Sequence, residues 1–447
     1  MTDERWNRRQ FLRLASAGPA AAALAACTLP PLPLEEAATD SEPPPPDAEG
    51  ETLSHWQPFS AGHRAAVELL KERFEEENSG LTIDIQPVSW SAYWDHLSAS
   101  AAAGDPPDTY RIPMGLAENH IAGGHILPVS ELLLSNDEIE KTYLPWTVQR
   151  AKRDNRYYGL PVDVQTLVIF RNSALYAQAG LDPAAPFADL EELFSQALAL
   201  TAQADGKFSQ IGCQTGYASA WLTILFQQYL QREEDGATWI DPATNQLVWQ
   251  DYPAIFELFS WFCNLSAQTG DDEFLSFLSS EEQFVLDKSA MQIGHPVYRR
   301  ILEDLVPDID YTIVPFPARA AGQQHYTAGS HWLWVVSQSA AAYAEAAWSW
   351  VVFGTNEEAQ TVWHEMAGDL PGLTELTADA RFRPDDNAAV CIDSLTHSTP
   401  WEWVGWIEWI SEFSDARDKV VNEGEDPHET FEEMIDSLNG TIAQYTA

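Results

Sequence analysis

Residues 159–172, Gly-Leu-Pro-Val-Asp-Val-Gln-Thr-Leu-Val-Ile-Phe-Arg-Asn, set the tightest limit on what this chain can fold into. Leu167–Phe170 is a continuous apolar run, the pattern of a strand buried on both faces. Val162–Gln165 alternates instead, which puts Asp163 and Gln165 on one face and Val162 and Val164 on the other. A strand that is core at one end and polar-faced at the other is leaving one packed body. Its polar side chains then either line a cleft or meet open water at the strand end.

The surrounding pattern is that of an α/β chain. In 61–80, Val67, Leu70 and Phe74 recur at helical spacing and Gly80 supplies a stop. Leu81–Val88 alternates as a strand, and 89–104 returns to helix before the Asp-Pro-Pro-Asp turn. The same alternation beyond it predicts strands in largely parallel pairing. A helix through 187–200 would bury Leu190, Phe194 and Leu198. Ala346, Trp350 and Phe353 would share a face of another, and the chain from Ser398 onward reads as helical throughout. With no Pro- or Gly-rich linker between 53 and 447, two lobes would be joined by several crossing strands.

The N-terminus carries an address. Arg8 and Arg9 precede Phe11-Leu12, an Ala-rich run too short to span a bilayer, and Leu24-Ala-Ala-Cys27. This order resembles a twin-arginine export signal ending in the lipobox of an exported lipoprotein, with Cys27 as the lipidated residue. Residues 1–26 would be the signal segment and 27–52 a tether. Within 28–51 there are seven acids, no base and many prolines, too little apolar surface to build a core.

The net charge of −44 argues against nucleic acid or an anionic membrane surface as partner. It is read as a solvated acidic surface, with adaptation to high salt as the sharper alternative. Any contact with the membrane would be through the anchor at Cys27 alone. Cys213, Cys263 and Cys391 are too widely spaced for a zinc site; their odd number permits at most one internal disulfide, and buried free thiols are the expected state. His364-Glu-Met-Ala-Gly lacks the second histidine of a zinc protease, and His120 and His125 are spaced too loosely to assign a metal. There is no Gly-x-Ser-x-Gly elbow and no phosphate loop. No cofactor, metal or catalytic residue is assigned.

Six segments in order resemble the extracellular solute-binding proteins of ABC importers, of the maltose- and glycerol-phosphate-binding type. They are the opening strand and helix with Trp56, the turn Gly104-Asp105-Pro-Pro107-Asp108, the Tyr-Gly-Leu-Pro strand at 158–161, Ala179-Gly180-Leu181, the Ala290-Met291 strand, and Tyr311–Pro317. The likeness spans 53–447. Departures are His295-Pro296-Val297 where the family has Gly-Pro-Trp, and Arg171-Asn172 where it has Tyr-Asn.

The resemblance implies a two-lobed, periplasmic-binding-protein-like α/β fold, with 53–163 and 331–378 as lobe 1 and 167–328 and 382–447 as lobe 2. Val162–Leu167 would be the first crossing, Gly329–Val336 the second, and a third would fall near 378–384. It implies a small-molecule ligand, a carbohydrate first of all, and the permease subunits of an importer as partners. Sugar C–H faces suit aromatic rings, and hydroxyls need carboxylate or amide partners. The site residues it implies are therefore Trp56, Tyr217, Trp221, His295, Trp332 and Trp401, with Asp163 and Gln165 as polar partners. In "WEWVGWIEW", Trp403, Trp406 and Trp409 read instead as a helix core stripe. Arg111 could meet an anion, although a surface ion pair is the commoner outcome. The competing readings are an exported carbohydrate-active enzyme, or a binding protein for a polyol phosphate, a peptide or a metal.

Overall fold

The computed structural model describes residues 51–446 apart from 59–60, 89, 206, 233–238, 242, 271–279 and 401–405. The signal segment, Cys27 and Trp401 lie outside the described residues. The expected tether ends slightly early, because the first strand, β1 (Glu51–Pro58), takes its last two residues.

Helix α1 (Ala61–Glu77) and β2 (Leu81–Val88) follow, then α2 (Trp90–Ala103), β3 (Thr109–Pro113) and α3 (Met114–Ala122). Val67, Leu70 and Phe74 are buried as their spacing predicts. The chain next makes β4 (Leu160–Thr166), β5 (Val168–Asn172), α4 (Leu190–Ala199), α5 (Ala218–Arg232) and α6 (Pro253–Thr269). It continues through β6 (Met291–Gly294), α7 (Val297–Leu305), β7 (Tyr311–Val314) and β8 (Thr327–Val336). Helices α8 (Ala344–Gly354), α9 (Glu357–Ala367) and α10 (Asp386–Thr396) precede β9 (Ser398–Pro400), α11 (Trp406–Asp418) and α12 (Pro427–Thr446).

Two sheets organise the lobes. The first has six strands in the order β9-β8-β3-β1-β2, with β4 also paired to β8; the second has three, β6-β5-β7. Pairing is parallel for β1 with β2 and β3 and for β8 with β9. It is antiparallel wherever β8 meets β3 or β4 and throughout the second sheet. The expectation of largely parallel pairing is therefore corrected: β8 enters the first sheet running against β3 and β4.

Two further expectations change. Leu190, Leu193 and Ala197 form the inward face of α4, while Leu198 is 41% exposed. Steps of four run ahead of the 3.6-residue turn, so Leu198 has drifted off the stripe. The segment from Ser398 starts as a strand, not a helix. Trp409 is wholly buried and stacks on Trp239, in the second lobe's core. Cys213, Cys263 and Cys391 are buried and free.

The opening strand resolves at Leu167. β4 belongs to the first sheet and β5 is the centre of the second, so the chain passes between lobes at the one residue between them. Thr327 Oγ1 donates to the Leu167 carbonyl at 2.7 Å, and Thr166 and Ser398 share a hydroxyl hydrogen bond of 2.7 Å. The Thr166–Leu167 passage, Thr327 and Ser398 are thus tied side by side. After Phe382, whose ring lies 4.5 Å from that of His364 on α9, Asn387 accepts from Ile313 N of β7 at 2.7 Å. No helix among the described residues is long and apolar enough to cross a membrane.

Candidate functional site

The alternation in β4 places Val162 and Val164 in the core, 2% and 0% exposed. Asp163 and Gln165 share the opposite face, with Gln165 Nε2 donating to Asp163 Oδ1 at 2.8 Å. Both are buried, and they do not stand alone. Arg111, on β3, forms an ion pair with Asp163, and its guanidinium lies 4.7 Å from the centre of the Trp332 ring. The strand register shifts beside Trp332, which faces Asp163 while Leu333 faces Pro161, so Val162 is the extra residue of a bulge. A bulge re-aims the side chains next to it. Arg111 is thus in a buried pair, a correction to the surface ion pair expected from sequence.

Two residues complete this cluster that the sequence reading missed. His63 Nε2 meets the Asp369 carboxylate at 3.1 and 3.2 Å, and Gln165 Nε2 reaches Asp369 Oδ1 at 3.3 Å. Gly62 makes this possible, because any Cβ there would collide with the Met366 carbonyl at the end of α9. Gly368, in the left-handed region at φ +84°, ends α9 and turns Asp369 inward. The available signals were weak: a histidine at a helix start, a Gly-Asp ahead of Leu-Pro-Gly, and a lone arginine in the strand Thr-Tyr-Arg-Ile-Pro.

The electrostatics separate the two carboxylates. Burial alone would raise Asp163, but the Arg111 guanidinium, with help from His63 and Gln165, holds it below the usual carboxylate range. Burial and the charge of Asp163 push Asp369 above that range. His63, Asp163 and Asp369 bring three ligand-type atoms within 4.8 Å of one another. Arg111 already neutralises Asp163, so this group is read as a hydrogen-bonding cluster.

The second lobe contributes through the start of α7 and the start of α5. Val297 N donates to Gln165 Oε1 at 3.3 Å, a direct link between lobes. His295 Nδ1 sits 3.2 Å from the Thr166 carbonyl, and its Nε2 3.4 Å from the Tyr217 hydroxyl. Tyr217 is 38% exposed, an open aromatic face just before α5. Burial holds the His295 imidazole below its ordinary pKa, against the pull of Asp163, so it is neutral near pH 7.

The remaining expected site residues are placed as follows. Trp56 is half-buried against the cluster around Tyr93 and Tyr110, and the Tyr93 hydroxyl ties the Trp56 and Arg111 carbonyls at 3.1 and 2.6 Å. Trp221 is corrected: it is fully buried, packed on Phe262 and Phe316, with Nε1 donating to Gln214 O. One turn of α5 separates it from Tyr217, and that turn carries it from the surface into the second core.

Residues 60–361 match the family model of the bacterial extracellular solute-binding proteins. An ABC transporter extracellular-binding protein of Pyrococcus horikoshii is 22% identical over 340 residues, covering 73% of this chain and 72% of the relative. Maltodextrin-binding protein MdxE of Bacillus subtilis is 22% identical over 355 residues, covering 76% and 78%. Among solved structures, an ABC transporter solute-binding protein of Thermotoga lettingae bound with α-D-tagatose has a TM-score of 0.72 at 18% identity, over 88% of this chain and 100% of that one. A cyclo/maltodextrin-binding protein complexed with maltotetraose has a TM-score of 0.70 at 15% identity, over 89% and 99%. With the two-lobed fold shared by these structures and a family match that runs from just before α1 into α9, this chain belongs to the bacterial extracellular solute-binding protein family.

Proposed function

We propose that this chain is the lipid-anchored substrate-binding component of an ABC importer, and that it captures a sugar or oligosaccharide by hinge closure. The observation that carries the reading is that β4 holds Asp163 and Gln165 and is also the strand that passes between the lobes at Leu167. A ligand held by these side chains sits where the lobes pivot. If it also touches Tyr217 and His295, it gains those contacts only when the lobes are together, so its differential affinity shifts the population toward closure. The bodies that close are 53–163 with 331–378, and 167–328 with 382–447.

The chemistry suits a carbohydrate. The exposed Tyr217 ring offers an apolar face for C–H surfaces, whereas Trp332 is buried under the Arg111 guanidinium, and Arg111, Asp163 and Gln165 carry donors and acceptors for hydroxyls. Relatives named for maltodextrin and structures holding tagatose and maltotetraose favour the same class. Export by the twin-arginine segment and lipidation at Cys27 would keep the receptor beside its permease, which engages the closed form. No covalent step is involved.

Mass spectrometry of ligand released from gently purified protein, followed by calorimetric titration with that compound, tests the reading. Saturable binding of a sugar without product is expected. Turnover of an oligosaccharide would make the chain a carbohydrate-active enzyme, and a released polyol phosphate, peptide or metal ion would replace the ligand class.

A further inference from the structure

The chain has 24 basic residues against 68 acids, and four of those bases fall between Arg150 and Arg156. They lie on a two-stranded hairpin, Lys152–Arg153 against Arg156–Tyr157, closed by Asp154 and Asn155 with φ of 49° and 57°. Arg150 is paired with Glu118 and Lys152 with Glu140. Arg153 and Arg156 are exposed, stand directly opposite each other in the register, and have no ion pair among the described residues. Like charges at opposed cross-strand positions destabilise a hairpin. In so acidic a chain, two unpaired arginines in this arrangement point to a carboxylate-bearing partner.

Beside the hairpin, exposed leucines stand among exposed acids, Glu131, Asp137 and Glu138. Asn136 Nδ2 donates to the hairpin's Asn155 carbonyl at 2.8 Å, and the loop just before it exposes Leu132 by 87% and Leu133 by 40%. From that loop a chain of contacts leads back to the start of β1. Ser130 Oγ donates to Glu345 at 2.7 Å, and two residues earlier the Tyr343 hydroxyl donates to Asp108. The Asp108 hydrogen bond, burial and the nearby charges of Asp108 and Glu51 together push Tyr343 up to about 12. Asp108 also accepts from Ser54 N and Ser54 Oγ of β1 at 2.8 Å, so the start of β1 lies on the same edge of the first lobe.

We infer that residues 28–50 dock along the Leu132–Leu133 loop and the Arg153–Arg156 hairpin of the first lobe. The segment matches this surface in both respects. Leu29, Leu32 and Leu34 suit the exposed leucines, and Glu35, Glu36, Asp40, Glu42, Asp47 and Glu49 suit the arginines. Away from these arginines the folded residues 51–447, with 60 acids against 20 bases, repel it. Covalent linkage keeps the local concentration of the segment high, and at about 3.1 Å per residue a proline-rich stretch of this length reaches roughly 70 Å, ample for the path. The consequence is positional: with the anchor proposed at Cys27, docking fixes which edge of the first lobe faces the membrane. The contact itself does not depend on the ligand assignment.

Carbodiimide coupling of carboxylates to lysine, mapped by mass spectrometry on the full chain, tests this. Native Lys152 and a charge-preserving Arg153→Lys/Arg156→Lys variant supply the amines. At low ionic strength, cross-links within one chain from positions 152, 153 or 156 to the acids of 35–49 are expected. They should fall about tenfold in molar salt, where charges are screened within about 3 Å, and the Lys152 link should fall as far in Arg153→Glu/Arg156→Glu. Links confined to acids of the folded lobes, links between two chains, or hairpin-dependent sedimentation with anionic vesicles would each overturn the docking.

Discussion

Arg111 and Asp163 form an ion pair with only 4% and 9% of their side chains exposed, roofed on one side by Trp332 and extended on the other by Gln165. Removing both charges from water is costly, and the pair persists because the guanidinium also stacks on a ring and the carboxylate also accepts an amide.

The first prediction concerns this pair. Arg111→Ala strands a buried carboxylate and is expected to cost about 3–5 kcal/mol of stability, whereas Arg111→Met with Asp163→Leu should cost much less. Urea unfolding of the single and double variants reads the coupling. Equal losses in both would mean that the two charges do not support each other.

Trp221 and Tyr217 make a second test, because one helical turn separates a core ring from an open one. Trp221→Ala should cost about 3–5 kcal/mol by opening a cavity beside Phe262 and Phe316. Tyr217→Ala should change stability by less than about 1 kcal/mol and weaken ligand binding by about tenfold or more. Thermal melting and calorimetric titration on both variants separate the roles. A Tyr217 variant with unchanged affinity would remove that ring from the site.

Acid sensitivity follows from the buried histidines. Burial holds His55 and His331 down to about 3, and His120 to about 4. Below pH 6.5 the unfolded chain takes up protons that these rings refuse while folded. Stability should therefore fall as pH drops from 6.5 toward 4, by up to about 1.4 kcal/mol per unit for each ring. Asp163, held low, adds a loss in the same direction below its unfolded value of 3.8. Asp369, held high, works the other way and regains stability as pH falls through its folded value. Denaturant midpoints at pH 7 and pH 5 measure the slope, and His331→Leu should flatten it. An unchanged slope would mean that His331 is protonated in the folded state.

Anchoring is tested in cells. Cys27→Ser should move the mature protein from the membrane fraction to the soluble exported fraction, and Arg8→Lys with Arg9→Lys should stall export, since the signal is read by a receptor and not by charge alone. Membrane retention of the Cys27 variant would place the anchor elsewhere.

Local pattern was enough to show that Val162 and Val164 turn away from Asp163 and Gln165, and that Val67, Leu70 and Phe74 form one stripe; that the three later cysteines are all unpaired was decided by the fold. Ordered motifs from Trp56 to Pro317 were enough to indicate a two-lobed family. These properties are written in residue spacing, since a side chain's direction repeats every two residues in a strand and every 3.6 in a helix. Spacing says which residues share a face and nothing about what that face meets. Trp221 could not be told from Tyr217 on that basis, and only the packing of Phe262 and Phe316 against α5 sent one ring inward. His63 and Asp369 lie 306 positions apart and meet because Gly62 lets α1 close on the end of α9. Arg111 needed Asp163 on a strand reached only after the chain has left and returned to the same sheet. Alternation thus determined the faces of these elements, and tertiary packing alone decided which buried charges found one another, because a charge survives burial only beside a partner that the fold, and not the neighbouring residue, supplies.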